Sequence, residues 1–185
     1  MERNYINSVK KQFEYYKILG EKTFDQLNKK ELFWQFNEES NSIAITVNHL
    51  WGNMKSRWTD FLISDGEKEW RNRDMEFESI IKTRTEMLEK WADGWNCLFD
   101  ALNSVCESNF DSEIFIRNQS HSIVEAVNRQ MMHYSYHIGQ IVYVGRMIKG
   151  KEWNSLSIPK GKSKDFNDRK FSQGKHKGHF TDEIK

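Results

Sequence analysis

The sequence predicts an all-α protein, a four-helix bundle over residues 1–158 followed by a polar, basic tail over residues 159–185. Three observations predict this class. Apolar residues recur at spacings of three and four in four long segments, which is the period of an amphipathic helix. Proline occurs once, at Pro159, and glycine is scarce inside those segments. Seven Trp, twelve Phe and six Tyr supply large rings for one core.

Charge and cysteine content indicate which binding partners and which cellular compartment to expect. From Lys149 onward there are ten Lys or Arg and five Asp or Glu, so the tail is +5 and the body, within a chain of net +1, is −4. An acidic body is a poor surface for a phosphate backbone, so no specific nucleic acid is expected. No apolar run approaches the ~20 residues of a membrane span. Cys97 and Cys106 would lie ~13 Å apart on one helix, too far for a disulfide, which favours reduced thiols and a cytoplasmic location.

The first two helices are predicted from about Asn4 to Leu27 and from Ile43 to Ile63, with a short turn over residues 29–33 between them. The cluster Ser40-Asn41-Ser42 supplies capping oxygens for the second helix. One stripe of that helix carries His49 followed by the small residues Gly52 and Ser56. Two interpretations of these small residues stay open: room beside the histidine for an ion and a ligand, or close packing against another helix.

The third helix is predicted over Met75–Asn103, with Asp74 as its cap after a polar connection over residues 64–74. Residues at spacings of three and four predict a core-facing stripe that is apolar except for Arg84: Phe77, Ile80, Ile81, Arg84, Met87, Leu88, Trp91, Trp95, Leu98 and Leu102. Residues 108–119 form the next connection. Within it, residues 113–117 predict a short strand that has no evident partner.

The fourth helix has the clearest start, because Ser122 with Glu125 three residues later fits a capping box. The helix should end near Lys149, with Gly150 as terminator. Met132, Tyr136 and Tyr143 add apolar surface outside its core-facing stripe, so a second covered side is expected, either by a dimer partner or by the tail.

The tail begins with residues 151–158, which are expected to dock through Trp153, Leu156 and Ile158. Beyond Pro159, Gly, Lys, Ser and Asp dominate, and this composition predicts little order without a partner.

The most definite chemical signal is the pair His133 and His137, because positions i and i+4 of a helix lie one above the other and can converge on one ion. Gln130 and Gln140 extend the pair into a polar stripe on an otherwise apolar helix. Buried polar groups need partners, and a metal ion would satisfy both imidazoles.

The third ligand should be His49, by elimination. His121 would lie ~18 Å from His133 along the helix axis, and His176 and His179 belong to the tail. Three histidines with open positions are typical of a catalytic metal site. Imidazoles suit Zn²⁺, Ni²⁺, Fe²⁺ or Cu²⁺. We expect a divalent ion, Zn²⁺ or Ni²⁺ first, with Fe²⁺ or Mn²⁺ as alternatives.

Two familiar helical metal sites are excluded by the sequence. A zincin needs Glu directly after its first histidine, but Tyr134 follows His133. Di-iron bundles need paired Glu-x-x-His motifs, and the sequence has none.

Residues 41–53 (NSIAITVNHLWGN), 74–77 (DMEF) and 133–141 (HYSYHIGQI) resemble the DinB/YfiT-like superfamily, in particular a bacterial branch whose members have no assigned activity. The resemblance covers roughly residues 1–150. It implies an up-up-down-down four-helix bundle, often dimeric, in which one histidine of helix two and a His-x-x-x-His pair of helix four hold a divalent metal. Those positions are His49, His133 and His137 here. Some members of the superfamily are similar to thiol transferases.

Two functions of different classes follow from the sequence. The first is a metal-dependent transferase or hydrolase that activates a small thiol or water and acts on a small-molecule substrate, as a homodimer. No general base is assigned among the candidates Tyr134, Tyr136, Asn53 and Gln140. The second is a non-catalytic dimeric bundle whose metal has a structural or stress-sensing role.

Overall fold

The structure is a computed structural model that describes residues 2–182, and the side chains of residues 4–182. It is mostly helical with a small two-stranded sheet. The helices are α1 (Glu2–Phe24), α2 (Ile43–Trp58), α3 (Arg84–Ser104), α4 (Ile123–Lys149) and α5 (Ser163–Ser172). The strands are β1 (Glu113–Ile116) and β2 (Gln119–Ser122). Three single 3₁₀ turns lie at Glu31–Phe33, Asp74–Phe77 and Gly150–Glu152.

The core lies between the four long helices. α2 packs against α3 and α4, and α1 packs against α4 and α3. Phe13, Trp95 and Tyr134, from α1, α3 and α4, are fully buried, with ring centroids 5.9–6.3 Å apart. Large rings bury much apolar surface each, so this triangle anchors the helices to one another. No helix in the described part of the chain is long and apolar enough to cross a membrane.

The second helix is shorter than predicted, because α2 ends at Trp58 rather than Ile63. Thr59 is extended and Asp60 has a positive φ of 48°, which ends the helical path. The chain then turns back so that Ser56 and Arg57 both donate hydrogen bonds to the Gly66 carbonyl. Ile63, the predicted last residue of this helix, lies beyond it and is 87% exposed.

The third helix begins nine residues later than predicted, at Arg84 instead of Met75, so Asp74 is not its cap. Thr83 caps α3 by accepting a hydrogen bond from the Glu86 amide, 3.1 Å away. Residues 74–77 instead form a 3₁₀ turn that packs against α2. Residues 77–81 therefore lie before α3 in spite of their helical spacing, and Phe77 stacks on His49 of α2 instead.

The predicted strand has a partner strand that the sequence does not indicate, because the partner is entirely polar. β1 pairs antiparallel with the polar segment β2, with Glu113 opposite Ser122 and Ile116 opposite Gln119. Arg117 and Asn118 form the two-residue turn with φ of 56° and 60°, as a type I′ hairpin requires. The structure is therefore mostly helical, as predicted, with a two-stranded hairpin where a single short strand was expected before the fourth helix.

The predicted capping box at the start of α4 is confirmed. Ser122 Oγ accepts from the Glu125 amide at 3.2 Å, and Glu125 Oε2 accepts from the Ser122 amide at 2.8 Å. We expect Ser122→Ala to lower the free energy of unfolding by about 1 kcal/mol, because the Glu125 amide loses its cap. Urea denaturation of the metal-free protein measures this, with Ser120→Ala in the exposed hairpin as control. Identical unfolding midpoints for Ser122→Ala and wild type would contradict the role of the cap.

The tail is more ordered than predicted. Residues 163–172 form α5, and the segment after it lies along α1, where Lys11 pairs with Asp182 at 2.6 Å and Ser8 contacts His179 at 3.1 Å. Trp153 and Leu156 are half-buried, as expected for docking residues, whereas Ile158 is exposed. Cys97 and Cys106 are unbonded thiols, as predicted.

Candidate metal centre

The three predicted histidines come together although 84 residues separate His49 from His133. His49 projects from the middle of α2, and His133 and His137 project from adjacent turns of α4. The Nε2 atom of His133 lies 3.2 Å from Nε2 of His49 and 3.1 Å from Nε2 of His137. Candidate ligand atoms of all three residues lie within 4.8 Å of one another. His49 and His137 are buried and His133 is half-buried.

Neighbouring side chains select the nitrogen that carries the proton in two of these rings: the Glu76 carboxylate fixes it in His49, and the orientation of the Gln140 amide favours it in His137. His49 Nδ1 lies 2.8 Å from Glu76 Oε2, and an ionised carboxylate can only accept, so Nδ1 donates. His137 Nδ1 lies 2.8 Å from Gln140 Oε1, an amide oxygen that also accepts. In both rings Nε2 is therefore left with its lone pair, and both lone pairs face His133.

This arrangement fits a metal ion better than hydrogen bonding. His133 Nε2 has at most one proton, so it can satisfy only one of the two facing lone pairs. Its Nδ1 is buried without a hydrogen-bond partner. Metal–nitrogen bonds of about 2.05 Å with tetrahedral angles place ligand nitrogens about 3.3 Å apart, close to the separations of 3.1 and 3.2 Å found here.

The protonation state of the cluster also suits a cation. Burial, and then the neighbouring His137 and His49, lower the pKa of His133 to about 3. Burial lowers the pKa of His137 to about 4, against a smaller opposing effect of Gln140. Both rings are therefore neutral at pH 7, which is the form that ligates a metal.

Comparison with protein families gives one match over most of the chain. Residues 1–162 match the family described as "Protein of unknown function (DUF1572)". The chain belongs to this family. A search of curated proteins and a search of solved structures each gave no match.

In this DUF1572 protein, Glu76 contacts His49 at the site, a role that the sequence does not predict. It was placed inside the third helix, whereas it lies on the 3₁₀ turn before that helix and is buried against His49. Burial opposes its ionisation, but hydrogen bonds from His49 and Arg71 outweigh burial and hold the pKa of Glu76 below its ordinary value. The only sequence signal was its place in the DMEF segment of the resemblance.

The space beside Gly52 is not a ligand cavity. A Cβ atom built on Gly52 would lie 2.7 Å from the Glu76 Cδ atom, so the glycine makes room for the Glu76 carboxylate. Of the two interpretations of the small residues at positions 52 and 56, the structure favours close packing. The group that packs against Gly52 is the Glu76 side chain of the α2–α3 connection rather than another helix. Ser56 plays a similar part, since its Oγ accepts from the Lys68 amide of the same connection.

Of the candidate general bases, Tyr134, Asn53 and Gln140 are held in hydrogen bonds, whereas Tyr136 is exposed. The Tyr134 hydroxyl is fully buried, donates to Asn53 Oδ1 at 3.1 Å and accepts from Trp58 Nε1 at 3.0 Å. Burial raises the pKa of Tyr134, so it is not a base at neutral pH. Gln140 orients His137. Tyr136 is 63% exposed beside His137, with ring centroids 5.0 Å apart, and no described contact assigns it a role.

The remaining histidines lie elsewhere, in agreement with the elimination made from the sequence. His121 is on β2, within hydrogen-bonding distance of the Gln119 carbonyl and Arg129. His176 contacts the Gly174 carbonyl in the tail, and His179 contacts Ser8 of α1. Among the described residues, no further His, Cys, Asp or Glu joins the three-histidine group.

Proposed function

We propose that this protein is a divalent-metal-dependent enzyme of the DinB/YfiT-like type, with His49, His133 and His137 as the metal ligands. One observation carries the proposal: the Glu76 carboxylate fixes His49, and the Gln140 amide oxygen favours His137, in the tautomer whose Nε2 lone pair faces His133. His133 Nε2 can donate to only one of these two lone pairs, whereas a cation binds both. We propose Zn²⁺ or Ni²⁺ as the ion, with Fe²⁺ or Mn²⁺ as alternatives.

The three-ligand set supports a catalytic role rather than a structural one. Structural zinc sites have four protein ligands, and catalytic sites have three protein ligands and an open position. A divalent ion bound there would lower the pKa of a thiol or water molecule in the open position and so supply a nucleophile at neutral pH. The chain's own part is to hold His133 and His137 neutral and to orient all three imidazoles. The proposed substrate is a small molecule, and the proposed thiol is a low-molecular-weight one.

The proposed architecture is an up-up-down-down bundle of α1 to α4 that works as a homodimer. The packing of α2 on α3 and α4, and of α1 on α4 and α3, is consistent with such a bundle. The proposed dimer surface is the outer stripe of α4, formed by Met132, Tyr136, Tyr143 and Met147, which are 47–67% exposed. The described part of the tail, up to residue 182, leaves them exposed. Exposed aromatic and Met side chains in one stripe are typical of protein interfaces.

Metal analysis tests the proposal most directly. We expect protein purified without a metal-affinity resin to contain about one divalent ion per chain, as catalytic three-histidine sites do. The metal-loaded protein should then accelerate conjugation of small thiols to electrophiles in a screen, with chelator-treated protein as control. A protein that takes up no Zn²⁺, Ni²⁺, Fe²⁺ or Mn²⁺ in equilibrium dialysis would refute the metal site. A metal-loaded protein inactive with every thiol and hydrolysable ester tested would favour the non-catalytic role.

A further inference from the structure

The irregular connection between α2 and α3 carries a series of buried charges that ends on a proposed metal ligand. Glu76 accepts from His49 Nδ1 through Oε2. Arg71 donates to the same carboxylate through Nε at 2.7 Å and through Nη2 at 3.0 Å, a two-point contact. Only 2% of the Arg71 side chain and 6% of the Glu76 side chain are exposed. The planar guanidinium thus fixes the plane of the carboxylate, not only its position.

Arg71 is itself held from the opposite side. Its Nη1 donates to Glu67 Oε2 at 3.2 Å, and Arg57 of α2 donates to the same oxygen at 3.2 Å. The backbone near Glu76 is also tied to α2, because Asn48 Nδ2 donates to the Glu76 carbonyl at 3.0 Å. Glu76 therefore has little freedom to leave His49.

We propose that Glu76, aligned by Arg71, is a positioning residue that keeps His49 in its Nδ1–H tautomer and thereby sets the affinity of the site for metal. This inference rests on the proposed function, since it concerns the same three histidines. Glu76 is not among the residues whose ligand atoms converge, and it reaches them through His49. A histidine ligand that donates its second ring N–H to a carboxylate is better oriented and more basic.

A carboxylate does this better than a neutral side chain of the same shape. An ionised carboxylate has only acceptors, so it forces the proton onto His49 Nδ1. An amide at the same place can turn its NH₂ group toward Nδ1, which moves the ring proton to Nε2. A protonated Nε2 has no lone pair for a metal. Tautomer selection is therefore the specific consequence of the charge at Glu76.

The test compares Glu76→Gln with Glu67→Gln. Both variants remove one carboxylate from the same Arg71 network, but only Glu76 contacts His49. The probe is Zn²⁺, titrated in competition with a chromogenic chelator. We expect Glu76→Gln to weaken Zn²⁺ binding by roughly 10–100-fold and Glu67→Gln to change it by less than about threefold. In metal-free protein, ¹⁵N NMR of the His49 ring should show Nδ1–H in wild type and Glu67→Gln, and a loss of that tautomer in Glu76→Gln.

The other outcomes separate this inference from the proposed function. Unchanged Zn²⁺ affinity in Glu76→Gln would overturn the positioning role. Equal losses in both variants would also overturn it and would point to the electrostatic field of the whole network instead. If Glu76→Gln does not fold, Arg71→Lys removes the two-point contact and keeps the Glu76 carboxylate. A weaker Zn²⁺ affinity is then expected, because the carboxylate no longer holds the His49 ring in one orientation, and wild-type affinity overturns the inference. If wild type takes up none of Zn²⁺, Ni²⁺, Fe²⁺ and Mn²⁺, the proposed function fails, whereas the His49 tautomer in metal-free protein still decides the positioning role.

Discussion

Replacing His137 by alanine is expected to weaken metal binding by more than about 100-fold, a larger loss than a change outside the ligand set produces. Any metal-dependent activity should disappear with it. The helical fold should survive, because most of the folding free energy comes from the core away from the site. Phe13, Trp95 and Tyr134 are fully buried there, and each such side chain contributes roughly 1.5–3 kcal/mol or more. His137 adds stability mainly where it meets the proposed ion.

Three measurements check this prediction. Equilibrium dialysis gives the metal content, circular dichroism gives the helical content, and thermal melts with and without chelator give the contribution of metal to stability. His176→Ala is the matched control, since it removes an imidazole from the exposed tail. If chelation or His137→Ala unfolds the helices, the metal energy is folding energy. The structural alternative would then replace the catalytic proposal.

Gly52→Ala is expected to destabilise the protein by about 2–4 kcal/mol, although alanine is the better helix former by up to about 1 kcal/mol. The added methyl group would overlap the Glu76 carboxyl group, whose Cδ would lie 2.7 Å from it. Glu76 would have to move, which breaks its contacts with Arg71 and His49. Separating a buried ion pair costs about 3–5 kcal/mol, more than helix propensity returns. Zn²⁺ affinity should fall as well, because His49 loses its orienting partner.

Gly139→Ala is the matched control for this prediction. Gly139 also lies inside a long helix, but a Cβ atom there would meet nothing within 4 Å. The same substitution should therefore stabilise the protein by up to about 1 kcal/mol through helix propensity alone. Urea unfolding of both metal-free variants gives the comparison. Equal shifts of the unfolding midpoint in the same direction would show that Glu76 does not depend on the space at Gly52.

Local chemistry explains what was predictable about the site. The i,i+4 spacing of His133 and His137 places them on one face of any helix, whatever that helix packs against. The Ser122–Glu125 capping box requires only four consecutive residues, so the sequence predicts the start of α4 correctly. His49 was found by elimination, because few other histidines lie in regular helical segments.

The sequence by itself thus determined a helical core, the start and end of α4, and the three histidines that converge. Tertiary structure alone decided the role of Glu76, the late start of α3 at Arg84, and the pairing of β2 with β1. Periodicity and capping act within one or two turns of chain, so the sequence displays them directly. Glu76 meets His49 only through tertiary packing, because the two residues are 27 positions apart. Burial strengthens the hydrogen bond of Glu76 to His49 and its ion pair with Arg71, and these contacts outweigh the local preference of this segment for helix.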